Sequence, residues 1–332
     1  MFLACDIGGT KTALAMFSAE RGPRDPIVEG VFPSQQFNTL EEIVVRFLER
    51  SAPSENVRAA AFGVAGPVVD HESKITNLAW TVKRGALAEV LKLAPCQVAL
   101  LNDLEATANA VPQLLPEDVR TLNKGVPVEH APIAVIAPGT GLGQAYLTWD
   151  GNRYRPHPSE GGHVDFAPCN QTQLDLLNYL YRKYDHVSFE RVVSGMGIPE
   201  MYNFLRDTHR KDQPDVLADE LANADDKTPV ILSHAKDFPI CQETLDMFVA
   251  ILGAKSGNVA LSLMSRGGLY LGGGIPPRIL PGLQSAEFME SFSCKGRFSD
   301  MMAQIPLHVI MNPKTALLGA AYAALSLSSN AT

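Results

Sequence analysis

The chain has 332 residues, 46% hydrophobic and 19% charged, enough apolar material for large cores and about two domains. Lys and Arg number 28 against 36 Asp and Glu, and the net charge of -8 offers no general attraction to nucleic acid or anionic membranes. No Lys/Arg-dense run supplies a local basic patch, and no apolar run approaches membrane-spanning length, so neither partner is expected.

The opening MFLACDIGGT lacks a basic region and reaches Asp6 early, which does not read as a signal peptide and makes a cytosolic protein the expectation. Cys5, Cys96, Cys169, Cys241 and Cys294 are odd in number and scattered, which suits reduced thiols better than a disulfide framework. Cys169 follows His163 by six residues, but without a CxxC nearby a structural zinc site is not expected.

Residues 4 to 17, ACDIGGTKTALAMF, read as a strand, a tight Gly/Thr turn and a second strand. LEEIVVRFLERSA then has a helical pattern, VRAAAFGVAGPVV a buried-strand pattern, GALAEVLKLA a helical one, and QVALLN ends the series as a strand. This order predicts an α/β domain with a mixed sheet. Asn102 and Asp103 fall at the carboxyl end of one strand, the edge where open α/β sheets bind ligands. Capping explains Asn102 equally well: with Glu105 three residues later it forms a capping-box pair, and Pro112 punctuates the far side. Asp103 is left with a first-turn preference for negative charge, so capping and catalysis both stay open.

Residues 136 to 147, IAPGTGLGQAYL, repeat the strand, Gly/Thr turn and strand. Glycine permits close approach and positive φ, so such turns can present amides and hydroxyls to an anion, and two of them suggest two lobes facing one polyanion. Plain hairpin turns are the commoner fate of either alone. Asp6 stands on the incoming strand of the first; Ala137 occupies that place in the second. PSEGGHVDF sets Glu160 and His163 three apart around two glycines, a bend able to turn both to one ligand, although a lone histidine is more often structural or exposed. LDLLNYLYRKY and ETLDMFVAILGAKSGNVALSL read as helices, residues 207 to 227 as surface helices or loops, GGLYLGGGIPPRIL as a strand into a glycine turn, and NPKTALLGAAYAAL as a final helix. No low-complexity linker occurs, so the domains should be joined by short crossings.

DIGGTKT, GVAGPV, LNDLEA, APGTGLG, PSEGGHVDFAP, FERVVSG and LGGGIPPR, in that order, resemble the motifs of bacterial glucokinases, in the hexokinase branch of the actin-like ATPase superfamily. The resemblance covers residues 3 to about 325 and lacks the Cys-rich zinc motif of the ROK sugar kinases. It implies a two-lobed α/β actin-like (ribonuclease H-like) fold with a mixed sheet in each lobe and an interlobe cleft, residues 1–112 plus 314–332 forming a small lobe and 113–313 a large one. It also implies ATP-dependent phosphorylation of glucose at the 6-hydroxyl, with Mg²⁺, by a homodimer. In this resemblance Asp103 is the general base, and Asn102, Glu160, His163 and Glu190 bind the sugar along with it. Gly8, Gly9, Thr10 and Lys11, with Gly139, Thr140 and Gly141, match the phosphate loops; Gly272, Gly273 and Gly274 match a nucleotide-side loop, and Asp6 the carboxylate that holds Mg²⁺ through water. A helix N-terminus makes Asp103 a weak base, which a loose phosphoryl-transfer transition state tolerates.

Met196, where a small residue or Pro is usual, and Cys169, where a polar residue is usual, depart from the pattern and are expected to touch no chemistry. Competing readings are a kinase for another hexose or an amino sugar, a non-catalytic sugar-sensing regulator, and an actin-like scaffold. A regulator would normally add a helix-turn-helix ahead of the first phosphate loop, which here begins at residue 8. Retention of both Asp6 and Asp103 favours the enzyme.

Overall fold

Burial of alternating strand residues organises the first of two units. A computed structural model of the chain describes residues 1–51, 55–75 and 78–329. Its contacts separate into one unit of Met1–Leu115, Asn152–Pro158 and the chain from Asn312 onward, and another of Pro116–Gly151 and Ser159–Met311. Among the described residues no helix is long and apolar enough to cross a membrane.

The first unit is built on a five-stranded sheet, in spatial order Val28–Pro33, Lys11–Phe17, Phe2–Ile7, Ala59–Val64 and Val98–Asn102. Neighbours among the first three strands are antiparallel and the last three run parallel, so the sheet is mixed. Strand periodicity sends Leu3, Cys5 and Ile7 to one face, where they meet Leu40, Ile43, Val44 and Phe47 of the helix Leu40–Ser51. Those four helix positions follow the spacing of an amphipathic stripe. Phe2 and Ala4 go to the opposite face and pack against Leu317, Ala320, Ala321 and Ala324 of the helix Thr315–Ser329. Asp6 shares that second face by the same alternation, one residue before the strand end. Val68–Val69, Glu72–Lys74 and Thr81–Lys83 form a separate small antiparallel sheet.

The helix Asp103–Ala110 packs directly on Thr315–Ser329. Asn109 Nδ2 donates to the Gly319 carbonyl at 2.8 Å, and a Cβ built on Gly319 would collide with the Ala106 carbonyl oxygen. Backbone against backbone is what holds the helix start, and therefore Asn102 and Asp103, in place over the sheet.

In the second unit the strands run Leu142–Trp149, Ile133–Pro138, Gly268–Leu271, Leu307–Ile310 and Val119–Asn123, with a parallel centre and antiparallel flanks. Beneath them lies the 25-residue helix Pro239–Leu263, apolar on nearly all sides, whose Phe248, Ile251, Leu252 and Val259 share one core with Ala134, Ile136, Leu269 and Leu271. The stretch expected to be surface helices or loops contains the helix Asp215–Asn223, followed by Lys227–Ser233. Both are partly internal: Leu217, Leu221 and Ile231 are buried, because an apolar residue every fourth position gives even a polar segment one face for the core.

Replacing Gly319 by Ala should destabilise the protein by roughly 2–3 kcal/mol through overpacking. Urea unfolding of the two proteins measures this, and an unchanged midpoint would mean that the helix pair relaxes freely.

Candidate active site

In the first unit the chemistry-bearing groups gather at the carboxyl ends of parallel strands. Asp6 is one residue from the end of its strand and pairs in register with Gly63, which pairs with Leu101; Asn102 ends the neighbouring strand and Asp103 begins the helix. Asn102 is the N-cap: its Oδ1 accepts the Leu104 amide at 2.9 Å, and its own amide donates to Glu105 Oε2 at 3.4 Å. Its Nδ2 donates to the Gly66 carbonyl at 3.1 Å, leaving one N–H and one lone pair for a ligand. Asp103 Oδ1 also accepts from the Leu104 amide, at 2.8 Å, which orients the carboxylate at the positive end of the helix.

Burial, and secondarily the charge of Asp103, push the Asp6 carboxyl up to about 6. Two carboxylates that resist shared ionisation make a place where a cation is electrostatically wanted.

The first Gly/Thr turn is braced from below. Gly8 donates to the Lys11 carbonyl at 2.9 Å, Ser34 Oγ donates to the Gly8 carbonyl at 2.9 Å, and the Ser34 amide donates to the Thr10 carbonyl at 3.0 Å. Thr12 and Ser34, both fully buried, share a further hydrogen bond of 2.9 Å. Thr10 and Lys11 are exposed.

The second unit contains the other turn. Gly139 donates to the Gly141 carbonyl at 2.9 Å, and Gly195 donates to the Gly139 carbonyl at 2.7 Å. Of the two uses expected of the turn glycines, close approach and positive φ, Gly8, Gly139 and Gly141 do not show the second. Space is what Gly141 supplies: a Cβ there would stand 2.5 Å from Glu190 Oε2. Positive φ belongs instead to Gly273, at +82°, where a Cβ would also strike the Pro138 carbonyl oxygen. Gly272 donates to the Ile136 carbonyl at 2.8 Å, which holds this glycine run against the second turn.

Glu190 joins the turn to the sugar-binding candidates. Its Oε2 accepts the Leu142 amide at 2.9 Å, and its Oε1 lies 3.8 Å from His163 Nδ1. On the other side His163 Nε2 is 3.8 Å from Glu160 Oε2. The three residues are thus brought into one cluster, with Glu190 largely shielded and the other two open to solvent.

A cavity of about 540 Å³ in this unit is bordered by Gly139 and Thr140, by Gly274 and Ile275, and by Gly195 and Met196. Asp226, Lys227 and Arg278 also line it, residues that sequence reasoning did not single out. Arg278 lay inside a quoted motif, so its signal was present; Lys227 carried none. Met196, expected to stand clear of the chemistry, borders the cavity because it immediately precedes the helix Gly197–Asp207.

The arrangement offers anion-receiving turns, a carboxylate poised beside a second one at a helix start, and a Glu–His–Glu cluster suited to polyhydroxyl ligands. The family model described as Glucokinase matches residues 3–327. The glucokinase of Trichormus variabilis is 38% identical over 98% of this chain and 99% of its own length. That of Neisseria meningitidis serogroup B is 36% identical over 97% and 94%. Among solved structures, a glucokinase from an Antarctic psychrotroph is 30% identical, covers 98% of each chain and superposes with a TM-score of 0.83.

The raised pKa of Asp6 has a stability consequence. Its folded value lies above the unfolded one, so ionisation costs nothing below about pH 4, costs progressively more up to about pH 6, and stays costly above that. Asp6→Asn should therefore melt roughly 3 °C above the unliganded parent at pH 8, with the gap closing toward pH 4.5. Thermal scans across that range check it, and a pH-independent gap would contradict the assignment.

Proposed function

The chain belongs to the glucokinase family and is an ATP-dependent kinase of glucose, and we propose how its residues divide the reaction. Asn102, Asp103, Glu160, His163 and Glu190 bind the sugar hydroxyls. Asp103 orients the 6-hydroxyl and accepts its proton as the O6–Pγ bond forms and the bond from Pγ to the β-phosphate oxygen breaks, giving glucose 6-phosphate and ADP. The observation that carries this assignment is Asp103 at the first position of its helix, oriented by the Leu104 amide, with its charge felt at Asp6. Because a loose transition state asks little basicity of the acceptor, a carboxylate stabilised by a helix N-terminus suffices.

Gly8, Gly9, Thr10 and Lys11 receive phosphate from one side in this reading, as do Gly139, Thr140 and Gly141 in the second unit. The nucleotide occupies the 540 Å³ cavity, bordered by Gly274 with Gly273 just before it in the bend after the strand Gly268–Leu271, and with the cations of Lys227 and Arg278 available to its phosphates. Asp6 fits a divalent cation held through water: it is one carboxylate, shielded, whose ionisation a neighbouring cation would restore. A Mg²⁺ ion held there by Asp6 would supply neutralisation of the phosphate charge. The reading carries a cytoplasmic homodimer with it.

ADP release from Mg·ATP, with and without glucose, tests the function directly, with mannose and glucosamine as parallel acceptors. Asp103→Asn should lower kcat by at least ~10²-fold while glucose binding stays measurable by calorimetry, since the amide hydrogen-bonds but takes no proton. Turnover near the parent rate would reduce Asp103 to a residue of the helix cap. Asp6→Ala should impair use of Mg·ATP and leave glucose affinity without nucleotide nearly unchanged; a large loss of that affinity would move Asp6 out of the metal's shell.

A further inference from the structure

Lys255 sits in the middle of the apolar helix Pro239–Leu263 and is only 3% exposed. Among the described residues no carboxylate lies within ion-pair distance of it. Its Nζ instead donates to the Gly161 carbonyl at 2.6 Å and stands 4.8 Å above the centre of the Phe189 ring. Burying an ammonium without a counter-ion is expensive, and a methionine would fill the same space at no such cost. Burial alone pulls its pKa down to about 8, a measure of that expense.

The two partners of Nζ belong to the two segments that carry the sugar ligands. Gly161 opens the turn Gly161–His163 directly after Glu160, and Phe189 opens the turn Phe189–Arg191 directly before Glu190. The ligands do not fix one another: both His163–carboxylate separations are 3.8 Å, too long for hydrogen bonds. Backbone hydrogen bonds join the two segments just beyond the turns, Phe189 donating to the Val164 carbonyl at 2.9 Å, and Lys255 adds a tie from beneath at Gly161 and the Phe189 ring.

We propose that Lys255 is a positioning residue of the sugar site, pinning the Gly161 carbonyl and the Phe189 ring together so that Glu160, His163 and Glu190 face a sugar in one geometry. It touches no substrate. Its effect is on glucose, because its partners are sugar-side backbone and ring, and the cavity assigned to the nucleotide does not include it. This inference rests on the reading of those three residues as sugar ligands.

The test compares the full-length parent with Lys255→Met, Lys255→Gln and Lys255→Arg, recording kcat, KM for glucose and for ATP, glucose Kd by calorimetry, and Tm. Lys255→Met should raise glucose KM and Kd by about 10-fold, leave ATP KM within about twofold, and leave Tm equal or higher, because a buried unpaired charge has been removed. Lys255→Arg, which keeps a charged donor, should recover most of the glucose affinity. A merely structural lysine would lower Tm and worsen both KM values together, or yield no folded Met or Gln variant, and either result overturns the proposal. So does a folded Lys255→Met with unchanged glucose affinity in a background where the parent binds glucose well. A parent that neither binds nor phosphorylates glucose fails earlier, at the reading of the site itself, and takes this inference with it.

Discussion

One carboxylate holds the second unit's site together. Glu190 spends Oε2 on the Leu142 amide, just past the phosphate-type turn, and presents Oε1 toward His163. In the proposed assignment the turn cannot shift without moving a sugar ligand, and that ligand cannot rotate without releasing a backbone amide. Gly141 has no side chain because Glu190 needs the space. Phosphate handling and sugar handling, as proposed, are therefore coupled through this side chain.

The first unit accepts an opposite kind of constraint. Asp6 is buried beside Asp103, where burial and then the charge of Asp103 make its own ionisation unwelcome, an arrangement that costs stability in the unliganded protein. Such tension persists only where the scaffold over-determines the geometry. Here the scaffold is the parallel strand pair, whose register aligns Asp6 with Gly63 and Leu101, and the helix pair locked at Gly319.

Much of this was legible in the chain. The turn motifs, the strand ends and the capping pair at Asn102 and Glu105 are local features, and local chemistry writes itself into neighbouring letters. What resisted reading was non-local. Lys255 within AILGAKSGNVAL looks like a lysine whose stem lies along a helix with its head in water, and only tertiary packing turns it inward to Gly161, 94 residues earlier. Lys227 at the cavity likewise has no motif around it. The short strands Val119–Asn123 and Leu307–Ile310 carry too few alternations to announce themselves, and they become strands by pairing with each other across the unit.

The helix Thr315–Ser329 covers the Phe2, Ala4 and Phe17 face of a sheet made from the chain's first hundred residues. On the ribosome that sheet must wait. About 200 residues of the second unit emerge in between, some 10–40 s at ordinary elongation rates, with one apolar face uncovered for the whole interval. The second unit, lying in the middle, has almost all its own contacts available before the first can close. The order of completion is thus inverted relative to the order of synthesis, and the half that holds Asp6 and Asp103 is the last to become native.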